Sequence, residues 1–182
     1  MAIISKSQLA NIARSKAGPQ GLKGSLYESR KYAKSSSVTS VFLSHSHVDK
    51  ALVEQAKVFF ENLGISVYVD WADQTMPEKT SGVTALAIKN QIINANDKFV
   101  LLATNAALTS RWCNWEVGIA DPFKNPRKKM ALFPLADDNG SWTGNEYLQI
   151  YPRIERSALD PEKFIVWTPE KNLLSLESWL MS

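Results

Sequence analysis

The chain has 182 residues, a formal net charge of +3, 45% apolar residues and 21% charged ones. That size and balance suit one globular domain with a small appendage, and they exclude wholesale disorder and a dominant electrostatic pull on nucleic acid. No apolar run approaches the ~18–20 residues that cross a bilayer, and the single cysteine, Cys113, rules out an intramolecular disulfide and points to a reducing cytoplasm.

The opening residues, MAIISKSQLANIARSKAG, lack the long apolar core of a signal peptide. Residues 1–37 read as an N-terminal helical extension, set apart from a main domain at 38–182. Gly18, Pro19, Gly21 and Gly24 divide the extension into helical pieces at about 5–15 and 25–33, and Ser35, Ser36 and Ser37 form a polar hinge. The extension is expected to pack on the main domain or to meet a partner.

From Val38 the pattern alternates between strand and helix. TSVFLS (39–44) reads as a buried strand. Asp49 is expected to cap a helix in which Leu52, Ala56, Phe59 and Leu63 recur at helical spacing and which Gly64 ends. ISVYVD (65–70) is a second strand, followed by a long polar loop, WADQTMPEKTSG (71–82). VTALAIKNQIINAN (83–96) reads as a helix and KFVLLAT (98–104) as a third strand. SRWCNWEVGIAD (110–121) reads as a helix expected to stop at Asp121, because the residue before Pro122 avoids the helical region. KNPRKK (124–129) is expected to be a solvated loop rather than a phosphate-binding patch. MALFPL (130–135) is a fourth strand, broken late by Pro134, and a loop with Trp142, Tyr147 and Tyr151 follows. KFIVW (163–167) is a fifth strand and KNLLSLESWLM (171–181) a closing helix.

This alternation predicts an α/β fold with a mostly parallel, doubly wound sheet. Ligands in such sheets bind beyond the carboxyl ends of the strands, near the switch in strand order. The places to inspect are therefore 44–49, 70–82, 104–112 and 136–147.

Several chemistries lack their residues. No glycine-rich run ends in Lys-Ser/Thr, no GxGxxG follows the first strand, and no GxSxG elbow occurs. A phosphoacceptor receiver needs an aspartate closing the third strand, which here ends in Thr104-Asn105. His45 and His47, with Asp49 nearby, have no second ligand cluster, so no metal is expected. SHSHVDK (44–50) leads into a helix N-terminus, where Ser44, Ser46 and the imidazoles could bind an anion. The same segment could equally serve only to cap and turn. Glu116 follows Trp112 by four residues and shares its helix face. It is either a solvated carboxylate on an amphipathic helix or a carboxylate in an aromatic-walled cleft. Trp115 and Cys113 are expected to pack.

VFLSHSHVDK resembles the first box of Toll/interleukin-1 receptor (TIR) domains, an apolar strand followed by Ser-x-Ser-x-x-Asp. VYVDW and the polar loop after it resemble their second strand and following loop, and SRWCNWE resembles the Ser-x-Trp-x-x-x-Glu helix of TIR domains that cleave NAD. The resemblance runs in order over about 39–180, and the compact form resembles bacterial TIR proteins of antiphage systems such as Thoeris. It implies a TIR (flavodoxin-like) fold, with a five-stranded parallel sheet and helices on both faces. It implies an enzyme that breaks the nicotinamide–ribose bond of NAD+, with Glu116 catalytic. Ser44, His45, Ser46, His47, Asp70, Trp71, Lys79, Arg111 and Trp112 are the residues expected to bind substrate.

NAD+ would be consumed as substrate, with no further cofactor, to give ADP-ribose, a cyclic isomer or a conjugate. The product would signal in the cytoplasm to a separate effector protein, after an unknown phage-derived trigger. Self-association through TIR contacts is also implied; nucleic acid and membrane are not expected partners. The alternative is a non-catalytic TIR–TIR adaptor module, and a third reading is a nucleoside-processing α/β domain. Two features depart from the family pattern. Histidines stand at 45 and 47 where many members have aromatic or small residues, and the loop ADQTMPEKTSG lacks the Arg-Asp-Pro-Gly-like motif of receptor TIRs. The second departure weakens the adaptor analogy.

Overall fold

The computed structural model describes residues 2–17, 38–76 and 81–182. Lys79 and the expected helical piece at 25–33 lie outside the described residues. In chain order the elements are β1 (Ile4–Ser5), α1 (Lys6–Lys16), β2 (Ser40–Ser44), α2 (Lys50–Glu61), β3 (Ser66–Tyr68), α3 (Gly82–Asn90) and β4 (Lys98–Ala103). They continue with α4 (Asn105–Thr109), α5 (Arg111–Lys124), β5 (Met130–Ala136), β6 (Arg153–Arg156), β7 (Phe164–Trp167), β8 (Leu173–Ser175) and α6 (Leu176–Met181).

The sheet runs β3-β2-β4-β5-β6-β7-β8, with β1 paired to β5 off that path. The pairings from β3 through β6 are all parallel, whereas β6–β7 and β7–β8 are antiparallel. The strands alternate their faces as the pleat requires. Val41, Leu43, Val100, Leu102 and Phe133 enter one core with Leu9 of α1, Val53 and Phe59 of α2, and Trp179 of α6. Phe42, Phe99, Leu101, Met130 and Leu132 enter the other with Ile88 of α3 and Cys113 and Val117 of α5. Helices therefore cover both faces, and every residue of β4 and β5 is buried. Aromatic rings fill the first core: Phe59 lies 5.4 Å from Phe133 and 4.8 Å from Phe164. Burying each such ring contributes about 1.5–3 kcal/mol.

The α/β class is as expected, but the strand list differs. The five-stranded parallel path ends in β6, sequence RIER, not in KFIVW. KFIVW supplies β7, which is antiparallel to β6. The charged sequence of β6 hides a strand, and it is accommodated because Arg153 and Glu155 form an ion pair at 3.1 Å. β5 is not broken by Pro134 and runs on to Ala136. Pro134 stands where β4 pairing ends and β1 pairing begins, so its missing N–H interrupts little.

Two helix ends also differ. α5 runs through Pro122 to Lys124. The carbonyl that proline leaves without a donor belongs to Gly118, which is exposed and free to meet water. The Lys124 ammonium is buried and donates to the carbonyls of Ile93 (3.3 Å) and Asn96 (2.5 Å), so it is no part of a solvated loop. Residues 173–175 of the expected closing helix form β8 instead, and α6 starts at Leu176 because Ser175 Oγ accepts from Ser178 N at 3.0 Å.

β1 pairs Ile4 with Leu135 and Ser5 with Ala136. Ser5 and Gln8 then form a capping box that starts α1. Asp138 accepts from Ser7 N at 2.9 Å, and Lys6 pairs with Asp137 at 2.6 Å.

Candidate active site

The chain passes from β2 outward to β3, then crosses back so that β4 lies on the other side of β2. This is the switch in strand order at which ligands bind. An open cleft of about 390 Å³ lies there, lined by His45, His47, Asp70, Trp71, Thr84, Ile88, Ser110, Trp112 and Glu116. The end of β2 supplies the histidines, the turn after β3 supplies Asp70 and Trp71, α3 supplies Thr84 and Ile88, and the first turns of α5 supply the rest.

Glu116 reaches the cleft floor because of how α5 starts and what it buries. Ser110 Oγ accepts from Cys113 N at 3.3 Å and fixes the first turn. Cys113, Val117 and Ala120 then face the core, and Glu116 falls beside them, 5% exposed. It is not a solvated carboxylate. Ser44 Oγ donates to Glu116 Oε2 at 2.5 Å. Burial pushes the Glu116 carboxyl up to about 8; the Ser44 bond opposes that shift and the nearby Asp70 charge adds to it. Carboxylates are rarely this buried without a cation, so a site that receives positive charge is the natural use of this one.

Around it, the other polar groups are held in place. His45 Nδ1 donates to the Leu43 carbonyl at 2.9 Å, and its Nε2 lies 3.5 Å from Asp70 Oδ1. Asp70 Oδ1 also accepts from Trp71 N at 2.8 Å. Trp71 is 42% exposed, and the Lys50 ammonium lies 4.6 Å from its ring centroid. Trp112 walls the cleft, and Trp115 meets its ring edge-on at 5.1 Å. Cys113 is wholly buried and burial pushes its thiol up to about 11, so it behaves as a core residue.

The cleft thus brings together His45, His47, Asp70, Trp71, Trp112 and Glu116 from the expected set. Ser44 lies beneath, touching Glu116 rather than the cleft surface. Ser46 is buried, and Arg111 is exposed on the first residue of α5; neither lines the cleft. Thr84, Ile88 and Ser110 line it without having been singled out. Ser110 lies in the 104–112 stretch and opens the Ser-x-Trp-x-x-x-Glu motif, whereas Thr84 falls just past the 70–82 stretch. Asp49 does not cap α2 with its side chain. Its carboxylate instead accepts from Thr104 Oγ1, which in turn accepts from Ala107 N at 3.0 Å. That bond ties the loop after β2 to the end of β4. Among the described residues, no group of three His, Cys, Asp or Glu side chains is arranged to hold a metal ion.

A doubly wound parallel sheet with a buried helix glutamate at its switch point, and a Ser-x-Ser-x-x-Asp turn beside it, is the arrangement of a TIR domain. Residues 41–161 match the TIR domain family, and the chain belongs to it. It is 29% identical over 168 residues to a Bacillus cereus (strain MSX-D12) protein named as a probable 3′ cyclic ADP-D-ribose synthase, ThsB′, covering 88% of this chain and 85% of that relative. It is 31% identical over 83 residues to TIR2 of Cytobacillus dafuensis, named as a candidate cyclic ADP-D-ribose synthase. That match covers 44% of this chain and 22% of the relative.

Proposed function

We propose that this protein cleaves NAD+ at the nicotinamide–ribose bond and closes the remaining ADP-ribose into a cyclic product, as a signal in bacterial antiphage defence. The observation that carries this reading is Glu116, buried at the floor of the cleft with Ser44 bound to it. Nicotinamide leaves a cationic pyridinium as a neutral molecule, so no acid is needed to expel it. One carboxylate facing the ribose therefore suffices, where most glycosidases need two. Its charge and hydrogen bonds strengthen as the ribose becomes an oxocarbenium ion, which is selective stabilisation of the transition state.

The raised Glu116 pKa fits this role. Before substrate binds, the carboxyl holds its proton near neutral pH. An arriving pyridinium favours the carboxylate, so the charge appears when the cation is there to meet it. A cleft of about 390 Å³ suits the nicotinamide riboside half of NAD+, with the adenylate half extending beyond. Trp71 and Trp112 supply apolar walls for nicotinamide, and NAD+ is consumed without a further cofactor. The names of the two relatives, both cyclic ADP-D-ribose synthases, support cyclisation over simple hydrolysis. Self-association, a cytoplasmic location, a phage-derived trigger and a separate effector protein that senses the product belong to the same proposal.

The test is mass spectrometry of NAD+ incubated with the wild-type chain and with Glu116→Gln, with and without extract of phage-infected cells. Nicotinamide release should fall by roughly 10²–10³ or more in the variant while the protein stays folded. Full release by a folded Glu116→Gln protein would end the reading.

A further inference from the structure

Expelling nicotinamide requires no base, but closing the ring through a hydroxyl does. The hydroxyl oxygen forms the new bond to the anomeric carbon. The bond from that carbon to the pyridinium nitrogen breaks, and its electron pair neutralises the departing nicotinamide. One proton, from the hydroxyl, is left for the protein. Water attacking in its place can pass its proton to solvent. Glu116 is poorly suited to receive the proton, because a neutral carboxyl no longer faces the ribosyl cation with a charge.

His45 has the geometry of a fixed base. Its Nδ1 donates to the Leu43 carbonyl, a partner that can only accept, so in the neutral ring Nε2 is the nitrogen that carries the lone pair. Nε2 lies 3.5 Å from Asp70 Oδ1, so the carboxylate sits beside the nitrogen that would take up the proton. The Trp71 N–H holds that carboxylate in turn. The His45 side chain is only 5% exposed, although the residue lines the cleft, so its ring cannot swing away into solvent. His47, the other imidazole on the cleft, is exposed.

We infer that His45, backed by Asp70, takes the proton of the ribose hydroxyl that closes the ring, and so sets the partition between cyclic product and ADP-ribose. This rests on the NAD+-cleaving reading above. The 3′ in the product name of the Bacillus cereus relative is consistent with a hydroxyl acceptor.

The experiment incubates NAD+ with wild type, His45→Gln and Asp70→Asn, and quantifies nicotinamide, ADP-ribose and cyclic product by liquid chromatography and mass spectrometry. General-base catalysis is typically worth 10²–10⁴ in rate. In His45→Gln the ratio of cyclic product to ADP-ribose should therefore fall by about 10²-fold, well beyond any fall in nicotinamide release. Asp70→Asn should shift the ratio the same way by less. An unchanged ratio in folded His45→Gln overturns the inference, as does a wild type that yields ADP-ribose alone. Should His45→Gln not fold, Asp70→Asn decides, since its side chain is 34% exposed and tolerates the isosteric change. A wild type that releases no nicotinamide under any trigger fails the NAD+-cleaving reading first and takes this inference with it.

Discussion

Glu116→Gln should make the fold more stable, and increasingly so as pH rises. In the unfolded chain this carboxyl titrates near 4.5, and in the folded chain near 8. A folded-state pKa above the unfolded value means that stability is fully present below pH 4.5 and is lost as pH rises through 8. Each tenfold difference in proton affinity is worth ~1.4 kcal/mol. The wild type should therefore be weaker than the glutamine variant by about 1 kcal/mol at pH 5, about 3 at pH 7 and about 5 at pH 9. Glutamine keeps the shape, and its amide oxygen can still accept from Ser44 Oγ, so packing contributes little to the difference. Urea unfolding of both proteins at the three pH values measures it. A gap that does not grow with pH would refute the burial argument. A gap that grows with pH makes the variant both inert and sturdier, as expected where a site carries strain for the sake of function.

Three other outcomes follow from the same geometry. Ser44→Ala removes the bond that holds the Glu116 pKa down, so the pH at which kcat/KM for nicotinamide release reaches its plateau, which reports the free enzyme, should move upward from about 8, with kcat/KM at pH 7 falling several-fold; initial rates at NAD+ well below KM across pH 6–10 measure this. Binding of a carbocyclic NAD+ analogue that cannot be cleaved should release close to one proton per site at pH 7, because Glu116 must ionise to meet the pyridinium; calorimetry in buffers of different ionisation enthalpy counts it, and Glu116→Gln should abolish it. Thr104→Val leaves the Asp49 carboxylate and the Ala107 N–H without their shared partner and should cost about 1–3 kcal/mol in urea unfolding.

The sequence signalled most clearly where one residue type has one use. The apolar runs at β2, β4 and β5, the helical spacing in α2 and the placement of Glu116 after Trp112 were all readable, because burial and period decide them locally. β6 was not readable, because its ion pair lets RIER occupy a sheet position that composition assigns to a loop. Asp49 has the sequence position of a cap, yet its partner Thr104 lies 55 residues away. No local pattern reports such a bond. The depth of Glu116 was likewise open, because the sequence does not reveal Ser44 beneath it, 72 residues earlier. β1 and β8 are too short to alternate visibly, and pairing with β5 and β7 defines them instead.

The pairing of β1 with β5 has a consequence for synthesis on the ribosome. Ser7 bonds to Asp138 across 131 residues of chain. At about 5–20 residues per second, the first strand waits roughly 7–26 s for its partner to emerge. Through that interval α1 carries Leu9 and Ala13, fully buried in the finished fold, on a helix of 11 residues that is marginal when alone. The strands that build the cleft, β2 to β4, all emerge before β1 can pair with β5 in the middle of the sheet. Anything appended ahead of residue 2 must therefore leave Ala2 free to bridge Arg156 and Ile4 free to reach Leu135. An affinity tag fused there would compete with the β1–β5 pairing.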